Sequence, residues 1–144
     1  MKERIAIVDG LRTPFARAGD VLADYEADAL GVIPVRELIA RSQLDVTDID
    51  EVIIGNVAQP VHAANIARVV ALNAGVPESV PAYTVHRNCA SGMESITTGA
   101  NKILTGQASV ILSGGTESMS NIPFLFSKQM KSFFEALWHE CFRC

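Results

Sequence analysis

Apolar and polar positions follow two rhythms along this chain, one with a period of two residues and one helical. "RIAIVDG" (4–10) is a short β-rich apolar run closed by Asp-Gly, and "LRTPFARAGD" after it carries Pro14 and Gly19, so a strand is predicted ahead of a loop. From Asp28 to Arg41, Leu30, Ile33, Leu38 and Ile39 recur at helical spacing, with Pro34 in the middle implying a kink or a late start. "EVIIGNV" (51–57) predicts a second strand, and "NIARVVALNAG" (65–75) a second helix that stops with Gly75 in the position after its cap.

The two prolines of "VPESVP" force extended backbone, and "AYTVHRN" (82–88) predicts a third strand. Met93, Ile96, Ala100, Ile103 and Leu104 then share one helical stripe ended by Gly106, and "ASVILSGG" (108–115) predicts a fourth strand. Strand and helix alternate throughout. That order predicts an α/β fold with right-handed βαβ crossovers and a mixed, mostly parallel sheet. The third predicted helix, Cys89 to Leu104, carries only Glu94 and Lys102 as charges among many small residues. Small side chains admit close backbones, so this helix is predicted to be buried on more than one face, between two layers.

Composition narrows the class. With 144 residues, 49% of them apolar and 19% charged, the chain suits a single compact soluble domain. The net charge is −4 and the 12 basic residues are scattered, which argues against nucleic acid or an anionic membrane as partner. The start lacks the positive head and apolar stretch of a secretory signal, and no apolar run approaches the roughly 20 residues of a membrane span. Three cysteines, an odd number, speak against a disulfide scaffold, so a reducing, cytoplasmic location is expected.

One stretch carries chemistry. "VHRNCASGMES" (85–95) sets Cys89 between an extended run and a helix. Such a cysteine is either a small buried residue at a helix start or a reactive nucleophile. The unpaired N–H groups and partial positive charge of a helix N-terminus favour thiolate over thiol. A thiolate can take an acyl group from a thioester reversibly, because one thioester replaces another of similar energy. The Cys89 backbone N–H could serve the resulting oxyanion as one donor. His86, three residues earlier on an extended run, is expected to point away from Cys89. Gly114 and Gly115 are read as sites of close packing rather than phosphate binding, and Asn88 and Ser91 as residues that orient the turn through local hydrogen bonds.

Four motifs in order, "RTPF" (12–15), "NIARVVALNAGVP" (65–77), "NCASGMES" (88–95) and "SGGTESMSNIPF" (113–124), resemble the N-terminal half of a thiolase, the acyl-CoA acyltransferase family. The resemblance implies Cys89 as the acyl-thioester nucleophile of a ping-pong reaction that cleaves a 3-ketoacyl-CoA or condenses two acyl units. It implies acyl-CoA and CoA as substrates with no cofactor, and a homo-oligomer, dimer or tetramer, where the fold is complete. It places the activating histidine, the second cysteine and most of the CoA-binding loops beyond residue 126. A chain of this length is therefore expected to label on Cys89 without efficient turnover, and to expose the second face of the Cys89 helix. The alternative is an inactive truncated fragment or association domain; within enzymes, a ketosynthase-type condensing enzyme is the runner-up.

The expected organisation is an incomplete thiolase-like domain over 1–126 and an atypical tail over 127–144. "SKQMKSFFEALWHECFRC" begins as an amphipathic helix and is expected to turn irregular, as an unrelated end from truncation or a changed reading frame. His139, Cys141 and Cys144 have metal-ligand character, but three ligands at a terminus make a poor site, and no metal is expected.

Overall fold

A computed structural model describes residues 4–141, with side chains as far as Trp138. Its core is a three-stranded parallel sheet: β1 (Glu51–Gly55) lies between β2 (Ala82–Val85) and β3 (Ile111–Gly115). Val52 pairs with Ala82 on one side and Leu112 on the other, and Gly55 with Val85 and Gly115, so all three strands end together. Helices α2 (Ile66–Asn73) and α3 (Ser91–Leu104) form the crossovers, while α1 (Ala27–Ser42) precedes the sheet and α4 (Lys128–Cys141) follows it.

Alternation along β1 assigns the layers. Val52 and Ile54 join Leu112 and the inner residues of α1 and α2 in one apolar cluster. Ile53 and Gly55 look to the opposite face, where α3 lies against β1 and β3. Helix α2 presents Ile66, Ala67, Val70 and Ala71 inward, all essentially inaccessible. It ends as the sequence predicts: Gly75 (φ +95°) passes its N–H to Leu72 O at 3.0 Å and Val76 N–H reaches Ala71 O at 2.9 Å, a Schellman closure. The same closure ends α3 at Gly106 (φ +69°). The Arg68 guanidinium fixes the proline-rich connection by donating to Val80 O and Glu78 O.

Several boundaries differ from the sequence reading, each for a local reason. Residues 4–10 form no strand. A period-two apolar run becomes a strand only where an edge pairs with it, and no such ladder exists among the described residues, leaving Ile7 and Val8 83% and 89% exposed. The segment is tied instead by the Asp9 carboxylate, which accepts from the Arg41 guanidinium at 2.5 and 2.9 Å. Helix α1 runs through Pro34 and begins at Ala27, so the proline does not delay its start. β2 stops at Val85 rather than residue 88, because Arg87 already belongs to a turn. β3 begins at Ile111 rather than 108, because the Asp50 carboxylate takes the Ser109 and Val110 N–H groups at 2.6 and 2.9 Å. A short 3₁₀ turn at Val46–Asp48, capped by Asp45, was not foreseen.

Helix α4 does carry an amphipathic stripe, Met130, Phe133, Phe134, Leu137 and Trp138, all well exposed, with Phe134 edge-to-face on Phe126 at 5.5 Å. The expected irregular end and the weighed ligands His139, Cys141 and Cys144 fall outside the described side chains. Among the described residues no helix is long and apolar enough to cross a membrane.

Candidate active site around Cys89

The C-terminal ends of β1 and β3 meet the first turn of α3 with almost no side-chain spacing. A Cβ on Gly55 would lie 2.3 Å from the Ser91 carbonyl carbon and oxygen, and 2.6 Å from Gly92 N. One on Gly115 would lie 3.0 Å from Gly92 Cα. The face of α3 that lies on the sheet is a stripe of small residues, Ser91, Ser95 and Gly99, all buried. Its polar atoms are satisfied across the contact: Ser95 Oγ donates to Gly114 O at 2.8 Å, and Ser113 Oγ donates to Ser95 O at 3.1 Å. At the far end, Lys102 Nζ meets the Glu51 carboxylate at 2.5 Å above the Tyr83 ring.

The second face of α3 is exposed, as expected for a chain of this length, while the expected burial on more than one face is not found. The apolar stripe is not the packed one: Met93 (63% exposed), Ile96 (41%) and Leu104 (47%) face outward. The helix is buried on one face only. Backbone closeness, which the small residues permit, decides the packed face here rather than side-chain hydrophobicity.

Cys89 stands just before that helix. The helix begins at Ser91 with Ala90 as its cap, so Cys89 belongs to the preceding turn and not to the helix. Its side chain is exposed. Ala90 N–H donates to Arg87 O at 3.1 Å and Ser91 N–H to Asn88 O at 3.0 Å, two overlapping turns with Asn88 left-handed at φ 49°. Asparagine tolerates that conformation better than most residues. Buried Ser91 then locks the turn, its Oγ accepting from Arg87 N–H at 2.8 Å and donating to Asn88 O at 2.6 Å. Ser91 therefore orients the turn by its side chain; Asn88 does so by its backbone. The Cys89 N–H has no hydrogen-bond acceptor among the described residues.

His86 is exposed and no hydrogen bond joins it to Cys89 among the described residues. Arg87 instead reaches forward over the turn, its Nη1 on Glu94 Oε2 at 2.5 Å. That carboxylate holds the guanidinium firmly charged.

The motif after β3 works as a clasp, and sequence reasoning missed most of it. The Glu117 carboxylate accepts from Val57 N–H at 2.9 Å, from Ala58 N–H at 3.3 Å and from Asn56 Nδ2 at 3.1 Å, which turns the chain out of β1. Fully buried Asn56 also donates to Thr116 O at 2.8 Å. Thr116 Oγ1, Ser118 Oγ and Asn121 Nδ2 donate to Ala27 O, Tyr25 O and Ala23 O, pinning the approach to α1. Gly115, not Gly114, makes the close approach to α3: a Cβ on Gly114 would touch only Ile54 Cδ1 at 3.8 Å. Gly55 makes the tighter approach, and a glycine at the C-terminal end of a buried apolar strand was the signal for it.

Fold and turn together define an α/β domain that presents an exposed cysteine, ahead of a helix N-terminus, at the carboxyl end of a parallel sheet. The family model described as "Thiolase, N-terminal domain" matches residues 5–137. The chain belongs to the thiolase family by its N-terminal domain. It is 40% identical over 135 residues to a β-ketoadipyl-CoA thiolase of Pseudomonas knackmussii, covering 92% of this chain and 34% of that one. It is 38% identical over 130 residues to a probable acetyl-CoA acyltransferase of Staphylococcus epidermidis, covering 90% of this chain and 33% of the relative. Among solved structures, an Ascaris suum thiolase in complex with coenzyme A superposes with a TM-score of 0.78 at 36% identity, over 82% of this chain and 31% of that one. A Bacillus anthracis acetyl-CoA acetyltransferase gives 0.73 at 36% identity, over 77% of this chain and 28% of that one. The chain thus spans about a third of the length of the curated relatives it matches.

Proposed function

We propose that this chain carries the nucleophile of a thiolase-type acyl-CoA acyltransferase, with Cys89 accepting an acyl group from a coenzyme A thioester. The observation that supports this best is Cys89 itself, exposed in a rigid turn at the N-terminus of α3 within the family match. In the acylation half-reaction the Cys89 sulfur attacks the thioester carbonyl, the bond from that carbonyl to the CoA sulfur breaks, and the proton leaving Cys89 ends on the CoA thiol. The Cys89 N–H serves as a donor to the oxyanion that forms in between. A second half-reaction returns the acyl group to CoA or to a second thioester. Acyl-CoA and CoA are the substrates, without a further cofactor.

No hydrogen bond links the Cys89 sulfur to a basic side chain among the described residues. Such a base typically contributes ~10²–10⁴-fold. This chain by itself therefore acylates and turns over poorly. The exposed outer stripe of α3 supports a second reading, in which the domain associates through that face.

Intact mass of the 144-residue protein after incubation with acetyl-CoA tests the first reading, with peptide mapping, CoA release and a Cys89→Ala control. One acetyl group on Cys89 with little continuing CoA release is expected. Folded protein that stays unmodified would remove the assignment.

A further inference from the structure

Helix α4 stands clear of the layers that bury the other helices: every residue from Phe124 to Trp138 is exposed. An isolated helix of 14 residues is marginal in water, and helices in proteins draw most of their stability from a packed apolar face. This helix has such a face and leaves it open to solvent. Met130, Phe133, Phe134, Leu137 and Trp138 recur at helical spacing, and together with Phe126, which leans edge-to-face on Phe134, they are 41% to 64% exposed. Large side chains carry about 150–250 Å² each, so roughly 600 Å² of apolar surface is exposed on each copy. Two such stripes laid face to face would bury about 1,200 Å² in all, the lower end of the range for specific interfaces. That area supports weak, concentration-dependent pairing.

The flank of the stripe is self-complementary in charge. Lys131 and Glu135 lie one turn apart with their charged atoms 3.5 Å from each other, 73% and 57% exposed, and both line the open groove formed with Phe126, Phe134 and Trp138. In an antiparallel pair of helices each flank meets the same flank of the other. A crossing at Phe133 therefore sets Lys131 of one copy opposite Glu135 of the second, and the two-fold axis repeats the pair. A parallel pair would set this flank against the other one, where Gln129 and Ala136 offer no charge.

We propose that α4 is a self-association helix, which pairs antiparallel with α4 of a second copy of this chain through its aromatic stripe. The surface is separate from the Cys89 turn, so the inference goes beyond the acyltransferase reading and does not depend on it. The competing occupant for an aromatic amphipathic helix is an anionic membrane surface, which favours a polar face rich in cations. Here Lys128 and Lys131 are offset by Glu135 and by a net charge of −4.

Sedimentation velocity of the whole 144-residue chain, from about 1 to about 200 µM at low salt, tests the proposal. A reversible equilibrium between monomer and dimer is expected, with a dissociation constant on the order of 10 µM. Phe134→Glu should raise that constant at least about tenfold, while Ile96→Glu on the outer face of α3 should leave it unchanged. Lys131→Glu and Glu135→Lys should each weaken pairing about threefold, and an equimolar mixture of the two should recover it, because each copy then supplies the charge that the other opposes. An ion pair that serves only its own helix would show no such recovery. Circular dichroism checks that each variant is folded. A chain that stays monomeric throughout overturns the inference, as does association that survives Phe134→Glu or disappears with Ile96→Glu. A mixture that pairs no better than its two components overturns it as well, and so does a monomer that binds phosphatidylserine vesicles instead of pairing.

Discussion

Replacing Gly55 by alanine adds one methyl group where β1 and α3 touch backbone to backbone. The new carbon would stand 2.3 Å from the carbonyl carbon and oxygen of Ser91, more than an ångström inside ordinary contact. Neither partner is a flexible side chain that can swing away. Either the end of β1 bends, breaking its pairing with Val85 and Gly115, or α3 retreats and loosens the Ser95–Gly114 and Ser113–Ser95 bonds. Overpacking a tight interior costs typically 1–3 kcal/mol, and a backbone obstacle belongs at the upper end, about 3 kcal/mol. With a urea slope of about 1.5–2 kcal/mol/M, the midpoint of unfolding should fall by about 1.5–2 M. Gly114→Ala is the matched control, since its methyl would meet only Ile54 Cδ1 at 3.8 Å and should cost less than ~0.5 kcal/mol. The retreat of α3 should also displace the turn before it and slow alkylation of Cys89. Urea unfolding followed by circular dichroism decides the matter: if Gly55→Ala unfolds within about 0.3 M of the parent, or Gly114→Ala falls equally far, the backbone-contact account is wrong.

Ser91→Ala removes a buried hydroxyl that serves Arg87 N–H and Asn88 O, so about 1–2 kcal/mol should be lost in the same assay, with slower alkylation of Cys89. Lys102→Ala leaves the Glu51 carboxylate, only 12% exposed at its side chain, without its cation, which should cost about 1–2 kcal/mol. A double-mutant cycle with Glu51→Ala should recover about 1 kcal/mol of coupling between the two, and zero coupling would deny the pair any role. The Asp50 carboxyl is held below its usual range because Val110 and Ser109 N–H donate to the ionised form. A lowered folded value means stabilisation fully present above the unfolded value, about 4, and lost as pH falls through the folded one. Thermal midpoints taken between pH 5 and pH 2.5 should accordingly drop less steeply for Asp50→Asn than for the parent, and parallel curves would refute the linkage.

Much of the fold could be read from periodicity because periodicity reports burial on one face. The helices at 28–41 and 65–75 fall where their apolar spacing sets them, and Gly75 and Gly106 sit past the helix ends with the positive φ that position needs. The run 4–10 misled because pattern reports what a segment could bury, not whether an edge exists to receive it. Helix α3 was legible in part: its small residues pointed to close backbone packing, which Ser91, Ser95 and Gly99 make, but they were read as burial on more than one face, and this chain covers one. Cys89 was legible as a junction residue, but the geometry of its turn was not. That geometry depends on Asn88 in a left-handed conformation, on the Ser91 hydroxyl and on a glycine in a strand far away in sequence. The Glu117 clasp was hidden because its acceptors and donors meet only after the strands are paired.

The proton account at Cys89 leads to a last test. On the proposed reading, transfer of an acyl group from CoA to Cys89 moves one proton from the cysteine sulfur to the departing CoA sulfur. A positioned base carries that proton across when one is present, and the rate then levels off once the base is deprotonated. Among the described residues Cys89 has no such partner, and the ionisable groups nearest in sequence are His86, exposed, and Arg87, engaged by Glu94. The expectation on that reading is that solvent takes the proton beforehand. The single-turnover rate of Cys89 acetylation should rise about tenfold per pH unit while the thiol remains mostly protonated, as the thiolate population does. Stopped reactions between pH 6 and pH 8, quantified by the acetylated Cys89 peptide, measure that slope. A plateau within that range would instead reveal a titrating base at work. His86→Gln would then have to abolish the plateau, and the reading of His86 as a bystander would be lost.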